Sequence, residues 1–142
     1  MSSTDEKQKR RVRKIFKKWF ECLGLGWWHV DLVYSDDRDE FKSETEGYEV
    51  IAHTSGRWEY RTATITFNMA LVPDRTDKEL ETDTLHEMVH ILVFEAQGED
   101  GEDYQKHVER VVCSLENAFQ WTREAGHEEG ARATRKEMKA NG

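Results

Sequence analysis

With 142 residues, the chain is long enough to bury a proper core as one domain without covalent staples. Its 35% charged residues make a strongly polar surface, no apolar run approaches a membrane span, and the charged N-terminus does not read as a signal peptide, so a cytoplasmic protein is expected. Cys22 and Cys113 are isolated, which argues against a disulfide framework and against a cysteine zinc ribbon.

The formal charge of −8 is unevenly spread: residues 1–18 hold eight Lys/Arg against two acids, and residues 19–142 hold 13 against 27. A basic arm on an acidic body suits contact with nucleic acid, but the favoured reading is the solvated side of a helix. Ser3-Thr4-Asp5-Glu6 is a capping box, and Val12, Ile15, Phe16, Trp19, Phe20 and Leu23 follow at three- and four-residue intervals. An amphipathic helix is therefore predicted, ending at Gly24-Leu25-Gly26.

From Trp27 to Tyr34 the pattern alternates, with Trp28, Val30, Leu32 and Tyr34 on one face, which predicts a first strand with His29 at its surface. Residues 35–47 are polar and acidic and read as an exposed loop. A second strand is expected over residues 48–53, a turn at Thr54-Ser55-Gly56, and a third strand from Arg57 onward, best marked at residues 62–69. Pro73 closes that segment. Thr76-Asp77-Lys78-Glu79 is a second capping box, and Leu80, Thr84, Leu85, Met88, Ile91 and Leu92 continue at helical spacing. After a turn-rich acidic connection at residues 97–102, a long helix is predicted over about 103–125, with Tyr104, Val108, Val111, Val112, Leu115, Ala118, Phe119 and Thr122 on its apolar face. Residues 126–142 carry almost no apolar content and read as a polar, flexible tail to a domain of residues 1–125; His127 and His53 read as bystanders.

Chemistry concentrates in Thr84-Leu85-His86-Glu87-Met88-Val89-His90-Ile91-Leu92, where His-Glu-x-x-His lies inside the predicted helix. Residues four apart share a helical face, so His86 and His90 can offer two imidazoles to one metal ion, and Glu87 is placed to deprotonate a water on it. Catalytic zinc takes three protein ligands, so a third must come from elsewhere. Glu109 and His107 both lie far enough beyond His90 for an antiparallel return, and helical phase leaves both open.

The order of helix, strand, hairpin, His-Glu-x-x-His helix and acid-bearing helix resembles a minimal zincin metallopeptidase of the gluzincin type. It is most similar to small metallopeptidases encoded in phages and bacterial genomes. The segment Thr84 to Leu92 matches that family's active-site helix, and Glu109-Arg110-Val111-Val112-x-x-Leu115 is similar to its downstream Glu-x-x-Val-x-x-Leu pattern. The resemblance implies an α+β, zincin-like fold with a small three-stranded twisted sheet. It implies zinc on His86, His90 and Glu109, with Glu87 as general base. SprT-like metalloproteases are more distantly similar, in a basic first helix, a Trp-containing first strand and a His third ligand. That His usually lies in a glycine-containing sequence, which Tyr104-Gln105-Lys106-His107 lacks, and no cysteine ribbon follows. With Glu109 as ligand, His107 is left to line the cleft and stabilise an oxyanion. In zincins the strand before the motif helix borders the cleft, which implies that Thr62, Thr64, Thr66 and Asn68 form an edge strand that pairs with an extended peptide.

The expected activity is hydrolysis of peptide bonds in a protein or peptide substrate through a zinc-bound water. A non-catalytic, zinc-stabilised interaction or DNA-associated module using the basic helix is the alternative. The composition selects no oligomeric state.

Overall fold

The computed structural model describes residues 3–43, 47–94 and 102–140. The connection expected over residues 97–102 lies outside them, except that Glu102 begins the last helix. The architecture is α+β: helix α1 (Ser3–Cys22), strands β1 (His29–Ser35), β2 (Ala52–Arg57) and β3 (Thr62–Asn68), then helices α2 (Asp77–Val93) and α3 (Glu102–Ala140). None of the described helices is long and apolar enough to cross a membrane.

Helix α1 forms where its apolar spacing predicts, burying Val12 and Trp19. It stops at Gly24, whose φ of 68° is the left-handed conformation that lets the chain turn away after a last helical bond to Glu21. Two of its basic residues turn inward to α2. Arg11 pairs with Asp77 and donates to the Arg75 carbonyl at 2.7 Å, and Lys18 pairs with Glu81 at 2.7 Å.

The sheet has the order β1-β3-β2, with β1 parallel and β2 antiparallel to β3. Alternation in β1 is as predicted: Trp28, Val30, Leu32 and Tyr34 are half-buried, and His29, Asp31 and Val33 are exposed. Two expectations are corrected. Thr54-Ser55-Gly56 is strand, and the chain reverses at the 3-10 turn Trp58–Tyr60, with Arg61 left-handed at φ 51°. Gly56 serves close approach and not a turn: a Cβ there would lie 2.5 Å from the Thr62 carbonyl oxygen and 2.9 Å from Phe94. In addition, β3 is the central strand, hydrogen-bonded on both sides, so Thr62, Thr64, Thr66 and Asn68 have no free edge for a substrate. Thr66 and Asn68 are buried, and Asn68 spends its amide on the Val50 carbonyl and the Ala70 amide.

The polar stretch after β1 is not wholly exposed. It folds into a 3-10 turn, Arg38–Phe41, that buries Phe41 and places its ring 5.2 Å from that of His53. Strand β2 begins at Ala52, with Glu49 upstream in an isolated bridge to Lys42.

Helix α2 opens on the predicted capping box: Thr76 Oγ1 accepts from the Glu79 amide, and Glu79 accepts from the Thr76 amide, both at 3.1 Å. It is the central helix, packed against α1, α3 and the sheet, and it buries Leu80, Leu85, Met88, Val89 and Ile91. Fully burying each such side chain contributes about 1.5–3 kcal/mol. Helix α3 does not stop near Ala125 but continues to Ala140. Its apolar face is narrower than predicted: Val108 and Val112 are buried, and Val111 is exposed.

Candidate metal centre

The metal-site geometry follows from α2 and α3 lying side by side. His86 and His90, one turn apart on α2, bring their Nε2 atoms to 3.3 Å from each other. From α3, Glu109 reaches both: its Oε2 lies 3.2 Å from His86 Nε2 and its Oε1 2.8 Å from His90 Nε2. Donor atoms held tetrahedrally at 2.0–2.1 Å from zinc are about 3.3 Å apart, so this donor set fits such an ion. Two imidazoles and one carboxylate are also the ligand chemistry of a catalytic zinc with one position left open. The side chain of His107, the other expected ligand and the expected oxyanion stabiliser, lies outside the described residues.

Charge is concentrated here. Burial opposes a proton on His86, but hydrogen bonds from the ring to Glu109 and Glu116 prevail and raise its pKa to about 11 in the metal-free protein. The hydrogen bonds from His86, then from His90, hold the Glu109 carboxyl well below the usual range. Both histidines thus lie against the Glu109 carboxylate, where a cation could take the place of the hydrogen-bonded protons and be held by all three side chains.

Glu87 faces the same space from α2 and is 8% exposed. Burial raises its pKa, and a hydrogen bond from Thr54 Oγ1 to its Oε2 pulls the other way. Thr54 belongs to β2, whose outer edge is not paired within the sheet among the described residues. A cavity of about 750 Å³ lies alongside, lined by residues 48–54, by Arg75, Thr82, Asp83, His86, Glu87 and His90, and by Glu109 and Glu116 from α3. Its walls are braced by ion pairs. Arg75 holds Asp83 through two hydrogen bonds, at 2.8 and 3.0 Å, and Arg38 holds Glu49 through two, at 2.8 and 2.7 Å. The hydrogen bond from Arg38 brings the Glu49 carboxyl down to about 2.

Of the residues singled out in the sequence, His86, Glu87, His90 and Glu109 converge. The Thr62, Thr64, Thr66 and Asn68 set does not, because β2 stands between β3 and the cavity. Sequence reasoning missed Thr54, Cys113 and Glu116. Glu116 Oε2 lies 2.8 Å from His86 Nδ1, and Cys113 Sγ lies 3.9 Å from the same atom. The spacing of Glu109, Cys113 and Glu116 is itself a signal: four and seven residues apart, they share one face of α3.

Comparison with known proteins finds that the SprT-like family matches residues 29–127. No curated protein and no solved structure matches the chain.

Proposed function

We infer, from the premise that this chain belongs to the SprT-like family, that it is a zinc-dependent metallopeptidase. The observation that carries the reading is the meeting of His86 Nε2, His90 Nε2 and the Glu109 carboxylate, all within 3.3 Å of one another, beside the buried carboxylate of Glu87. His86, His90 and Glu109 would hold the metal, a gluzincin-type ligand set. Zinc bound there supplies a Lewis acid that polarises a carbonyl and acidifies a water.

The rest of the chemistry belongs to the chain's own residues. Glu87 takes the proton of the attacking water and delivers it to the leaving amine. Thr54 fixes which way the Glu87 carboxylate points. The outer edge of β2 takes the place expected of β3: an extended peptide paired with it lies along the cavity and presents its carbonyl to the centre. The substrate class is thus protein or peptide.

Elemental analysis and peptide-hydrolysis assays test this reading. Wild-type protein should carry about one zinc per chain, and Glu109→Ala should lose it. Glu87→Gln should keep zinc and lose hydrolysis by on the order of 10²–10⁴. A zinc-stabilised interaction module predicts no effect of Glu87→Gln, and wild-type protein that binds no zinc would overturn the reading. Nucleic-acid binding through α1 would show as affinity that falls steeply with salt.

A further inference from the structure

Helices α2 and α3 meet along a series of polar contacts. Gln120 Nε2 donates to Thr82 Oγ1 at 3.0 Å, His86 Nδ1 lies 2.8 Å from Glu116 Oε2, and His90 Nε2 lies 2.8 Å from Glu109 Oε1. Thr82, His86 and His90 are four residues apart on α2, and Gln120, Glu116 and Glu109 descend α3 by four and then seven. Each series therefore follows one helical face, and the two run in opposite directions.

Glu116 occupies a distinct place in this series. It meets His86 at Nδ1, the ring nitrogen opposite to the one that faces His90 and Glu109. Only 10% of its side chain is exposed, against 53% for Glu109, so it is not an ordinary surface ion pair. A carboxylate this deep is costly unless a hydrogen-bonding partner compensates for its desolvation. A neutral imidazole has one N–H and one lone pair, and whichever nitrogen donates leaves the other to bind.

We propose that Glu116 is the positioning residue of the centre. Its carboxylate accepts the Nδ1–H of His86, which sets both the rotation of the ring and its tautomer and leaves the Nε2 lone pair aimed at the metal. This rests on the reading of His86, His90 and Glu109 as the ligands. Thr82 and Gln120, one turn away, hold the two helices in the register that the contact needs.

The test is the zinc dissociation constant of the whole chain, measured by competition with a chromophoric chelator, for wild type, Glu116→Gln, Glu116→Ala and Val112→Ala. Val112 is fully buried one turn before Glu116, so Val112→Ala loosens the packing of α3 without removing the contact. Glu116→Ala should weaken zinc binding about 10–100-fold. Glu116→Gln should weaken it less, because its amide oxygen can still accept the bond, and Val112→Ala should lower thermal stability while leaving zinc affinity unchanged. In zinc-loaded wild type, ¹⁵N NMR should place the His86 proton on Nδ1. Equal affinity in all four chains would overturn the role of Glu116 and leave the centre standing, whereas a proton found on Nε2 would overturn both, because a protonated Nε2 has no lone pair for the metal. A loss in Val112→Ala equal to that in Glu116→Ala would overturn it too, since packing would then account for both. Absence of zinc binding by the wild type would remove the centre and the proposal with it. Should Glu116→Ala fail to fold, the near-isosteric Glu116→Gln decides the same question.

Discussion

Thr54 reaches Glu87 from a strand that has no part in the His-Glu-x-x-His pattern. The two influences on that carboxylate are opposed, burial raising its pKa and the Thr54 hydroxyl lowering it. A general base works best when its pKa lies near the working pH, so the hydroxyl tempers what burial alone would do. Thr54→Val keeps the shape and removes the hydrogen bond. It should leave the zinc content intact and lower kcat about tenfold, a barrier increase of about 1.4 kcal/mol. Without the hydroxyl the Glu87 pKa rises, its basic form is reached only at higher pH, and the acid limb of the pH–rate profile should move upward. An unmoved limb would show that Thr54 does not act on the base.

At the scale of elements, Gly56 shows how tightly β2 is clamped beneath α2. A Cβ at this position would collide with backbone at Thr62 and with the Phe94 ring at the end of α2. Gly56→Ala should destabilise the protein by about 1–3 kcal/mol in urea unfolding. In sequence this residue looked like a turn glycine, because a glycine needed for close approach and one needed for a turn leave the same letter. Features that depend on near neighbours in the chain were readable: the Thr76 capping box, the α1 stripe, and His86 and His90 on one face. Features that depend on pairing distant segments were not. The central place of β3 follows from its joining β1 in parallel, with His29 opposite Thr62, and alternation alone cannot distinguish a central strand from an edge. Phe41 was hidden because one buried aromatic among charged neighbours has no periodicity to announce it. Glu109 could be nominated from the sequence, whereas Glu116 acquires its significance only when α3 is laid against His86.

For the whole molecule, the candidate ligands come from two helices, so a bound ion would act as a tie between α2 and α3 as well as a centre for chemistry. Zinc at about 100 times its dissociation constant should stabilise the fold by about 2.7 kcal/mol. Thermal unfolding with zinc and with a chelator should therefore differ by several degrees, and Glu109→Ala should erase the difference. The order of strands has a consequence in time. Strand β3 finds β2 across the short turn Trp58–Tyr60, but its other partner, β1, lies 33 positions away at the His29 and Thr62 pair. Closing the longer loop costs more entropy, so the hairpin is expected to form first and the parallel pairing later. On the ribosome, β1 emerges before its partner β3 and α1 before its partner α2, and each must wait. Glu109 emerges after every other member of the proposed centre except Glu116, so until α3 has left the ribosome the centre lacks one of its candidate ligands.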